Sequence, residues 1–262
     1  MRMATFNVLH GHSPRDGRVD ADRLTAAIRH LDTDLLALQE VDHAQPRSNH
    51  LDLTALAAAA TDAHTHRFAA ALVGTPGETF RVPRHSHDGH HEPCYGISLI
   101  SRYTATHWQV NRLDPAPVRS PVIVADPTPR LLLLRDEPRV LLTAVLTTPH
   151  GPVTAAATHL SFVPGWNLRQ LRAAIRILRT LPPPRLLLGD LNMPAGLAAA
   201  ATGWRPLGRR ATYPAPRPRV QLDHILLDPR GATAALAAVT SVDTPTLDVS
   251  DHRPLVVTVA AR

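Results

Sequence analysis

Short apolar segments that end in a carboxylate, an amide or an imidazole recur along this chain and constrain its fold. The polar residues that end, interrupt or precede these segments are Asn7, Glu40, His159, Asp190, Asn192, Asp223, Asp251 and His252. A polar group at the end of a buried strand costs free energy unless it finds a partner. For any one of them, a structural hydrogen bond is the ordinary explanation. For the whole set, we predict convergence on one site.

Strand and helix signals alternate along the chain, which predicts an α/β fold. Strands are predicted over residues 2–8, 34–39, 68–73, 95–101, 107–113, 153–158, 185–188, 221–227 and 255–259, and helices over 20–31, 51–63 and 167–181. Two apolar runs within 130–147 are split by Asp136-Glu137-Pro138, which predicts a hairpin. No internal repeat or linker divides the chain, so we expect residues 1–262 to form one domain.

The segment 167–181 carries the clearest helical pattern. Its buried stripe is predicted from helical spacing and consists of Leu168, Leu171, Ile175 and Leu178. A row of arginines follows the edge of that stripe: Arg169, Arg172, Arg176 and Arg179. Such a row is ordinary for an amphipathic helix, and we favour that interpretation over a rail for a phosphate backbone. The prolines at 182–184 end the helix.

Composition excludes several classes of protein. Apolar residues make up 44% and charged residues 19% of the chain, which is typical of a soluble globular protein. No apolar run approaches the roughly 20 residues of a membrane-spanning helix. No secretory signal is recognised, although a processed mature form would look the same. Cys94 is the only cysteine, so no intramolecular disulfide is possible and a cytoplasmic location is expected.

The charge balance is positive, with a formal net charge of +6 carried without any lysine. Arginine forks match the geometry of phosphate groups, so this balance favours a polyanionic partner such as DNA or RNA. A compositional bias of the whole genome would produce the same surplus, and the two explanations are about equally supported. No protein partner is evident from the sequence.

The ligand types in the predicted site favour a hard cation. Carboxylates and an amide, with no cysteine beside them, are the ligands of Mg²⁺ or Mn²⁺. Zinc is the minority interpretation, because neither a His-Glu-X-X-His motif nor a pair of cysteines is present. A Walker-type phosphate loop is excluded, because it requires a lysine.

Seven short motifs resemble those of the endonuclease/exonuclease/phosphatase superfamily, in the same order and over nearly the whole chain. They are Thr5-Phe6-Asn7-Val8, Leu38-Gln39-Glu40-Val41, Tyr95 to Arg102, Thr158-His159-Leu160, Gly189-Asp190-Leu191-Asn192, Leu222-Asp223-His224-Ile225 and Ser250 to Pro254. The superfamily includes DNase I-like nucleases, abasic-site endonucleases, inositol-phosphate phosphatases and neutral sphingomyelinases. The resemblance implies a four-layered α/β sandwich, in which two packed, mostly antiparallel sheets are flanked by helices.

The resemblance also implies roles for the matching residues. Glu40 is the expected principal metal ligand, with Asn7 and Asp251 in or beside the metal sphere. Asp190 and Asn192 are expected to hold the attacking water and the scissile phosphate, or a second metal. His252 is expected to act as general acid or base, because a carboxylate partner such as Asp223 fixes its tautomer and stabilises the imidazolium. His159 is the expected second histidine at the phosphate.

Other residues have weaker assignments. Tyr95 and Arg102 are expected at the substrate phosphate, although Tyr95 is one position from the place of the tyrosine in abasic-site nucleases. The histidines of one loop could form a second metal site or a lid, but a solvated loop is favoured: His85, His87, His90 and His91. For five arginines, a phosphate-binding role and a merely solvated one are equally supported: Arg205, Arg209, Arg210, Arg217 and Arg219. His224 is interpreted as a packing residue.

The sequence therefore predicts a Mg²⁺- or Mn²⁺-dependent hydrolase of phosphodiesters, with nucleic acid as the preferred substrate. The first alternative is a phosphomonoesterase or a diesterase of lipid headgroups or small metabolites. It is supported by the low aromatic content, 4%, which leaves no obvious platform for stacking bases. The second alternative is a binding module that has kept the scaffold without catalysis.

Overall fold

A computed structural model describes residues 1–83, 92–125, 129–232, 236 and 238–260. The histidines at 85, 87, 90 and 91 lie outside the described residues. Four α-helices occur in the described part: α1 (Ala21–Leu31), α2 (Leu53–Ala60), α3 (Trp166–Leu178) and α4 (Ala195–Thr202). None of the helices in these residues has both the length and the apolar character needed to cross a membrane.

Two large sheets form the middle of the molecule. The first contains β1 (Arg2–Asn7), β4 (Leu35–His43), β5 (Thr65–Gly74), β6 (Phe80–Arg81), β7 (Cys94–Ser101), β16 (Val239–Asp243) and β17 (Leu255–Val259), in the spatial order β16-β17-β1-β4-β7-β5-β6. The described neighbours in this sheet are antiparallel except β1 and β4.

The second sheet has six described strands. It contains β8 (Thr104–Leu113), β11 (Arg139–Thr148), β12 (Gly151–His159), β13 (Arg185–Asp190), β14 (Arg205–Pro206) and β15 (Asp223–Leu227), in the order β14-β15-β13-β12-β11-β8. Among these strands only β12 and β13 run parallel to each other. Two small ribbons complete the described strands: β2 (His12–Ser13) with β3 (Arg18–Val19), and β9 (Arg119–Ala125) with β10 (Pro129–Arg135).

Three hydrophobic clusters define four layers. The central cluster lies between the two sheets and joins side chains such as Met3 and Leu99 of the first sheet to Leu142 and Leu188 of the second. The next residue along β1, Ala4, points the other way and packs with α1 and α2. A third cluster packs α3 and α4 on the outer face of the second sheet. This alternation follows from the two-residue period of a strand, and the order helix, sheet, sheet, helix confirms the predicted sandwich.

Local chemistry explains where the helices begin and end. Asp20 and Asp52 cap α1 and α2 by accepting hydrogen bonds of 2.9 Å from the backbone N–H of the third residue that follows. α3 begins after Gly165, whose φ of +81° is readily reached by a residue without a side chain. It ends at Leu178, three residues before the predicted end, and its arginines are exposed as the pattern predicts.

The predicted hairpin within 130–147 is wrong. The two apolar runs form β10 and β11, but β10 pairs with β9, and β11 pairs with β8 and β12. The charged segment between them turns inward, because the Oδ2 of Asp136 accepts a 2.7 Å hydrogen bond from the backbone N–H of Ala116. The helix α4 and the strands β9 and β16 are not predicted from the sequence, since alanine-rich segments and short strands carry little periodicity.

Candidate active site

The polar residues singled out in the sequence meet at one edge of the sandwich. Asn7 ends β1, and Glu40 lies near the end of β4, which runs parallel to it. In the second sheet, His159 and Asp190 are the last residues of β12 and β13 and are register partners. Asp223 begins β15 directly opposite Asp190. Because these strand ends face the same edge, the two sheets contribute side chains to a common site.

A backbone irregularity aims the side chain of Glu40, and a glycine brings two strands of the second sheet close together. Glu40 has a φ of +55°, and the pairing of β4 with β7 shifts register between Leu38 and Val41. A positive φ is unfavourable for a residue with a side chain, and such residues cluster at functional sites. A bulge of this kind redirects a side chain out of the regular alternation. Gly189 allows β13 to approach β12, because a Cβ there would lie 2.1 Å from the carbonyl oxygen of Thr158.

Asn7 connects the two sheets through its amide. Its Nδ2 donates to Glu40 Oε1 at 2.9 Å and to Asp190 Oδ2 at 3.1 Å. Its Oδ1 accepts from the backbone N–H of Leu9 at 3.1 Å, which fixes the orientation of the amide. One buried amide therefore holds two carboxylates of different sheets near each other.

His252 forms a tight pair with Asp223. The Nδ1 of the imidazole lies 2.9 Å from Asp223 Oδ2, and its Nε2 lies 3.8 Å from Asp190 Oδ2. Burial alone would lower the pKa of His252, but the neighbouring carboxylates, Asp223 above all, raise it to about 10. Ser250 holds the loop, since its hydroxyl donates to the carbonyl of Asn7 and accepts from the N–H of His252.

His159 has the opposite electrostatic environment. Its Nδ1 faces the guanidinium of Arg139 at 3.1 Å, and its Nε2 lies 3.6 Å from Asp190 Oδ2. Burial, followed by the positive charges of Arg139 and His252, lowers the pKa of His159 well below its usual range. The site therefore combines one imidazole stabilised as a cation with one stabilised as a neutral ring.

Asn192 sits at the partly exposed edge of the cluster, in a backbone conformation with φ of +51°. Its backbone N–H donates to Asp190 Oδ1 at 2.9 Å, and its Nδ2 donates to the carbonyl of Leu160 at 3.0 Å. Asn167, in the first turn of α3, donates to the carbonyl of Asn192 at 2.8 Å. These bonds attach the loop after β13 to both β12 and α3.

The carboxylates carry more negative charge than their protein neighbours balance. Burial raises the pKa of Glu40 to about 7 despite the hydrogen bond from Asn7, and Asp251 contributes to the rise. Burial and the charge of Asp223 raise the pKa of Asp190 to about 6. Burial is the largest cause of both shifts, and the neighbouring acids add to it without enough positive charge to offset them. A bound divalent cation would supply that positive charge, and oxygen donors of this kind fit a hard cation.

Two groupings of possible metal ligands overlap in this site. Among the described residues, ligand atoms of Asp190, Asp223 and His252 all lie within 4.8 Å of one another. However, the short Asp223–His252 hydrogen bond already occupies Nδ1, and a cation would compete with the proton on that ring. The carboxylate of Glu40 has no such bond to a histidine: its described hydrogen bond comes from the amide of Asn7.

Two residues expected at the substrate phosphate are placed differently. Arg102 lies at the opposite end of β7 from the cluster, where it donates to Asp32 at 2.8 Å and to the carbonyl of Thr61 at 2.9 Å. It ties strands to helices there and does not reach the site. Tyr95 does lie beside the cluster, on β7, but it is 6% exposed and faces inward.

Some residues of the site are not found from the sequence. The ring of Tyr213 lies 4.8 Å from that of His252, and the tyrosine is half-buried. Arg139 is buried behind His159. Its only sequence signal is the charged segment between two apolar runs, which by itself indicates a turn. The five arginines between 205 and 219 are exposed, and His224 is buried with Nε2 bonded to the carbonyl of Met193.

Comparison with known proteins gives one family. The profile described as the Endonuclease/Exonuclease/phosphatase family matches residues 4–252. An endonuclease/exonuclease/phosphatase from Beutenbergia cavernae is similar in structure, with a TM-score of 0.67 and 23% identity over 98% of this chain and 70% of that chain. A comparison with curated protein sequences found no match.

Two other solved structures are similar over their whole length. The mannosyl-6-phosphatase from Bacteroides thetaiotaomicron has a TM-score of 0.62 and 13% identity, covering 100% of both chains. The sphingomyelinase C from Streptomyces griseocarneus has a TM-score of 0.59 and 16% identity, covering 100% of this chain and 99% of that chain. At these identities the similarity establishes a common fold and leaves the substrate open.

Proposed function

This chain belongs to the endonuclease/exonuclease/phosphatase family, whose members hydrolyse phosphate esters. On that premise, we propose that it is a divalent-metal-dependent phosphodiesterase acting on nucleic acid. The observation that carries the proposal is the pairing of His252 with Asp223 at 2.9 Å, beside Asp190 at 3.8 Å. A cationic imidazole and a carboxylate with a raised pKa supply an acid and a base to the same reacting phosphate.

Glu40 is the proposed principal ligand of the metal, with Asn7 and Asp251 in or beside its sphere and Asp190 facing it. When bound, the cation offsets charge on the phosphoryl oxygens and on the leaving group. Buried Asn7 acts as the spacer that keeps Glu40 and Asp190 at hydrogen-bond distance from one amide. Replacement of any of these oxygens should therefore weaken metal binding before it affects the fold.

The proposed chemical step uses the two members of the acid–base set in turn. Asp190, oriented by Asn7 and the backbone of Asn192, accepts a proton from the attacking water. The water oxygen forms the new bond to phosphorus as the ester P–O bond breaks. His252, held by Asp223, donates its proton to the leaving oxygen. Asn192 and His159 are proposed to donate hydrogen bonds to the phosphoryl oxygens.

Surface charge supports nucleic acid as the substrate. The arginines at 169, 172, 176 and 179 are exposed along α3, and that helix contains no acidic residue. Its first turn adjoins the site through Asn167, which is bonded to the loop that carries Asn192. A row of unbalanced positive charge that begins beside the site and leads away from it suits an extended polyanion better than a small ester.

A small or lipid phosphoester is the second candidate. The low aromatic content, 4%, supplies few side chains on which bases could stack. The ring of Tyr213 lies beside that of His252, tilted by 47°, and a single ring suits a sugar or a headgroup as well as a base. The third candidate, a non-catalytic module, is disfavoured because Glu40, Asp190 and His252 are all present.

Incubation with supercoiled plasmid is the direct test. The wild type, His252→Ala and a matched control, the exposed His150→Ala, are compared with Mg²⁺, with Mn²⁺ and with EDTA. We expect nicking by the wild type and His150→Ala that is abolished by EDTA and by His252→Ala. Absence of nicking by a folded, metal-binding wild type would overturn the nuclease assignment. Parallel assays on bis(p-nitrophenyl) phosphate and on headgroup esters would then identify the substrate class.

A further inference from the structure

Arg139 is a buried cation that the chemistry outlined above does not use. It begins β11, is 4% exposed, and sits behind His159 on the neighbouring strand β12. Burying a charge is costly unless it is paired. Packing alone therefore does not explain why an arginine occupies this position.

The closest described polar contact of the Arg139 guanidinium is an imidazole, not a carboxylate. Its Nη1 lies 3.1 Å from His159 Nδ1, whereas its Nη2 is 3.8 Å from Asp136 and 3.9 Å from Glu137. The two acids balance its charge from a distance, which leaves the hydrogen bond directed at the histidine. A rotated ring would present a carbon to Nη1, so the observed ring orientation is the one the contact requires.

That contact determines which nitrogen of His159 carries the proton. Arginine can only donate hydrogen bonds, so the Nδ1 that faces it must present a lone pair. A neutral imidazole with a free Nδ1 carries its proton on Nε2. We propose that Arg139 is a positioning residue that holds His159 as the neutral Nε2–H tautomer, and so aims an N–H at the phosphoryl oxygen of the substrate.

The side-chain amide of Asn192 disfavours this tautomer, but less strongly than Arg139 favours it. Asn192 Nδ2 approaches His159 Nε2 at 3.3 Å, where two donors would face each other. This amide nitrogen already donates to Leu160 at 3.0 Å, and its distance to the ring is longer than that of Arg139. Asp190 Oδ2, 3.6 Å from Nε2, favours a proton there. A charged donor at the shorter distance prevails over a neutral one.

The proposal gives the two histidines distinct functions. His252 carries a proton that it can release, because Asp223 stabilises its cationic form. A neutral His159 that gave up its only N–H proton would become an anion, so it acts as a fixed hydrogen-bond donor. Arg139 acts on the reaction only through His159, and this separates it from an arginine that merely neutralises Asp136 and Glu137.

The tautomer is measurable on the wild-type protein. With ¹⁵N-labelled histidine, the ring nitrogens of His159 are assigned by the signals that disappear in His159→Gln. At pH 7.5 we expect a protonated, pyrrole-type Nε2 and an unprotonated, pyridine-type Nδ1. A protonated Nδ1, in either the other tautomer or the doubly protonated ring, would overturn the proposal. This measurement does not depend on the proposed function.

Substitution of Arg139 provides the second test. In Arg139→Met the His159 signals should move toward a mixture of tautomers, while Arg139→Lys, which also only donates, should retain the Nε2–H form. The matched control is Arg185→Met, a second largely buried arginine that pairs with Asp228 at 2.9 Å away from the site. It should leave the His159 signals unchanged. The same response in both methionine variants would indicate a general disturbance of packing and contradict the specific interaction.

Kinetics complete the test and rest on the proposed function. On a small diester, Arg139→Met should lower kcat by about 10–100-fold with little change in KM, the usual range for residues that orient a ligand or catalytic group. In a His159→Gln background the same substitution should have no further effect. An equal decrease in both backgrounds would contradict action through His159. If no diester is cleaved, the proposed function fails while the tautomer measurement stands.

Discussion

At the scale of single residues, the site depends on opposite environments for similar groups. Asp223 raises the pKa of His252 against the effect of burial, whereas burial and then the charge of Arg139 lower that of His159, although both rings lie within 4 Å of the same Asp190 oxygen. Paired groups whose pKa values are pushed apart are the basis of acid–base assignment in enzymes. Substitution of a partner should therefore change the pH dependence of activity as well as its size.

Asp223→Asn is expected to move the alkaline limb of the pH profile. Its carboxylate is the main cause that raises the pKa of His252 to about 10. Without that charge the burial of the ring dominates, so the pKa falls and the cationic acid is deprotonated at lower pH. The fall in kcat/KM at high pH should begin nearer neutrality, with a large drop in activity at pH 9. If the alkaline limb of Asp223→Asn matches that of the wild type, His252 is not the general acid.

Glu40→Gln is expected to weaken metal binding and activity together. The substitution keeps the size of the side chain and removes the charge that a divalent cation requires. The decrease should exceed the roughly 10–100-fold typical of residues that only orient a ligand. Titration calorimetry with Mn²⁺ and diester hydrolysis measure the two effects, with the exposed Glu78→Gln as the control. Normal Mn²⁺ affinity in Glu40→Gln would assign the metal to other ligands.

Much of this residue set follows from the sequence, because chemistry-bearing side chains at strand ends meet at a common sheet edge. Arg139 and Tyr213 could not be found that way. Arg139 begins a strand and Tyr213 lies outside the strands, and each reaches its histidine through tertiary packing. Arg102 shows the reverse case. It belongs to a motif that resembles the family, yet it stands at the far end of its strand.

At the scale of elements, local periodicity predicted most helices and strands but not their partners. The hairpin within 130–147 failed because β11 satisfies its hydrogen bonds with β8 and β12, which are fixed by the whole sheet. The strand β4 extends past its predicted end to His43, through the bulge at Glu40. A bulge interrupts the two-residue alternation on which such predictions depend. The bulge that made the end of β4 unpredictable from the sequence is also the one that aims Glu40.

The arginine row of α3 is the element on which the choice of substrate rests. We expect the triple variant R172Q/R176Q/R179Q to cleave DNA with a higher KM. The dependence of log KM on log salt should become shallower by up to about 0.9 for each phosphate that an arginine no longer neutralises. Hydrolysis of a small diester should not change. The control removes the same charge from other elements, through the exposed Arg18, Arg29 and Arg230. An equal effect of both triple variants would indicate non-specific charge attraction.

At the scale of the whole molecule, the site joins the two sheets, so its charge affects folding stability. The folded pKa of Glu40 is about 7, above the ordinary 4.5, and that of Asp190 is about 6, above 3.8. An acid whose pKa is raised by folding destabilises the fold once ionised, so the contribution of Glu40 and Asp190 to stability falls as pH rises from about 4 to 7. His252 acts in the same direction: its stabilisation is complete below 6.5 and disappears as pH rises through 10.

Metal binding should reverse this destabilisation, which gives a prediction for the intact protein. His159, whose pKa is lowered by burial, changes stability with pH in the opposite sense, so the comparison is made at a single pH. At pH 8 we expect the Tm in Mg²⁺ or Mn²⁺ to exceed the Tm in EDTA. A ligand at 100 times its Kd adds about 2.7 kcal/mol, and about 1 kcal/mol corresponds to some 2–4 °C in domains of 150–250 residues. The expected rise is therefore about 5–10 °C at saturating metal. Scanning calorimetry in Ca²⁺-free buffers measures it, and an unchanged Tm on adding either metal would contradict the prediction.

Glu40→Gln tests the cause of that dependence. Glutamine carries no charge, so the variant avoids the cost of burying an ionised carboxylate at pH 8. It should therefore be more stable than the wild type at pH 8 in EDTA and should gain less stability from metal. The two proteins should converge at pH 4.5, where the Glu40 carboxyl of the wild type is protonated in the folded state. Glu78→Gln should follow the wild type throughout. If metal raises the Tm of Glu40→Gln as much as that of the wild type, the cation is bound elsewhere, and the buried charge of Glu40 is not what couples folding stability to the metal.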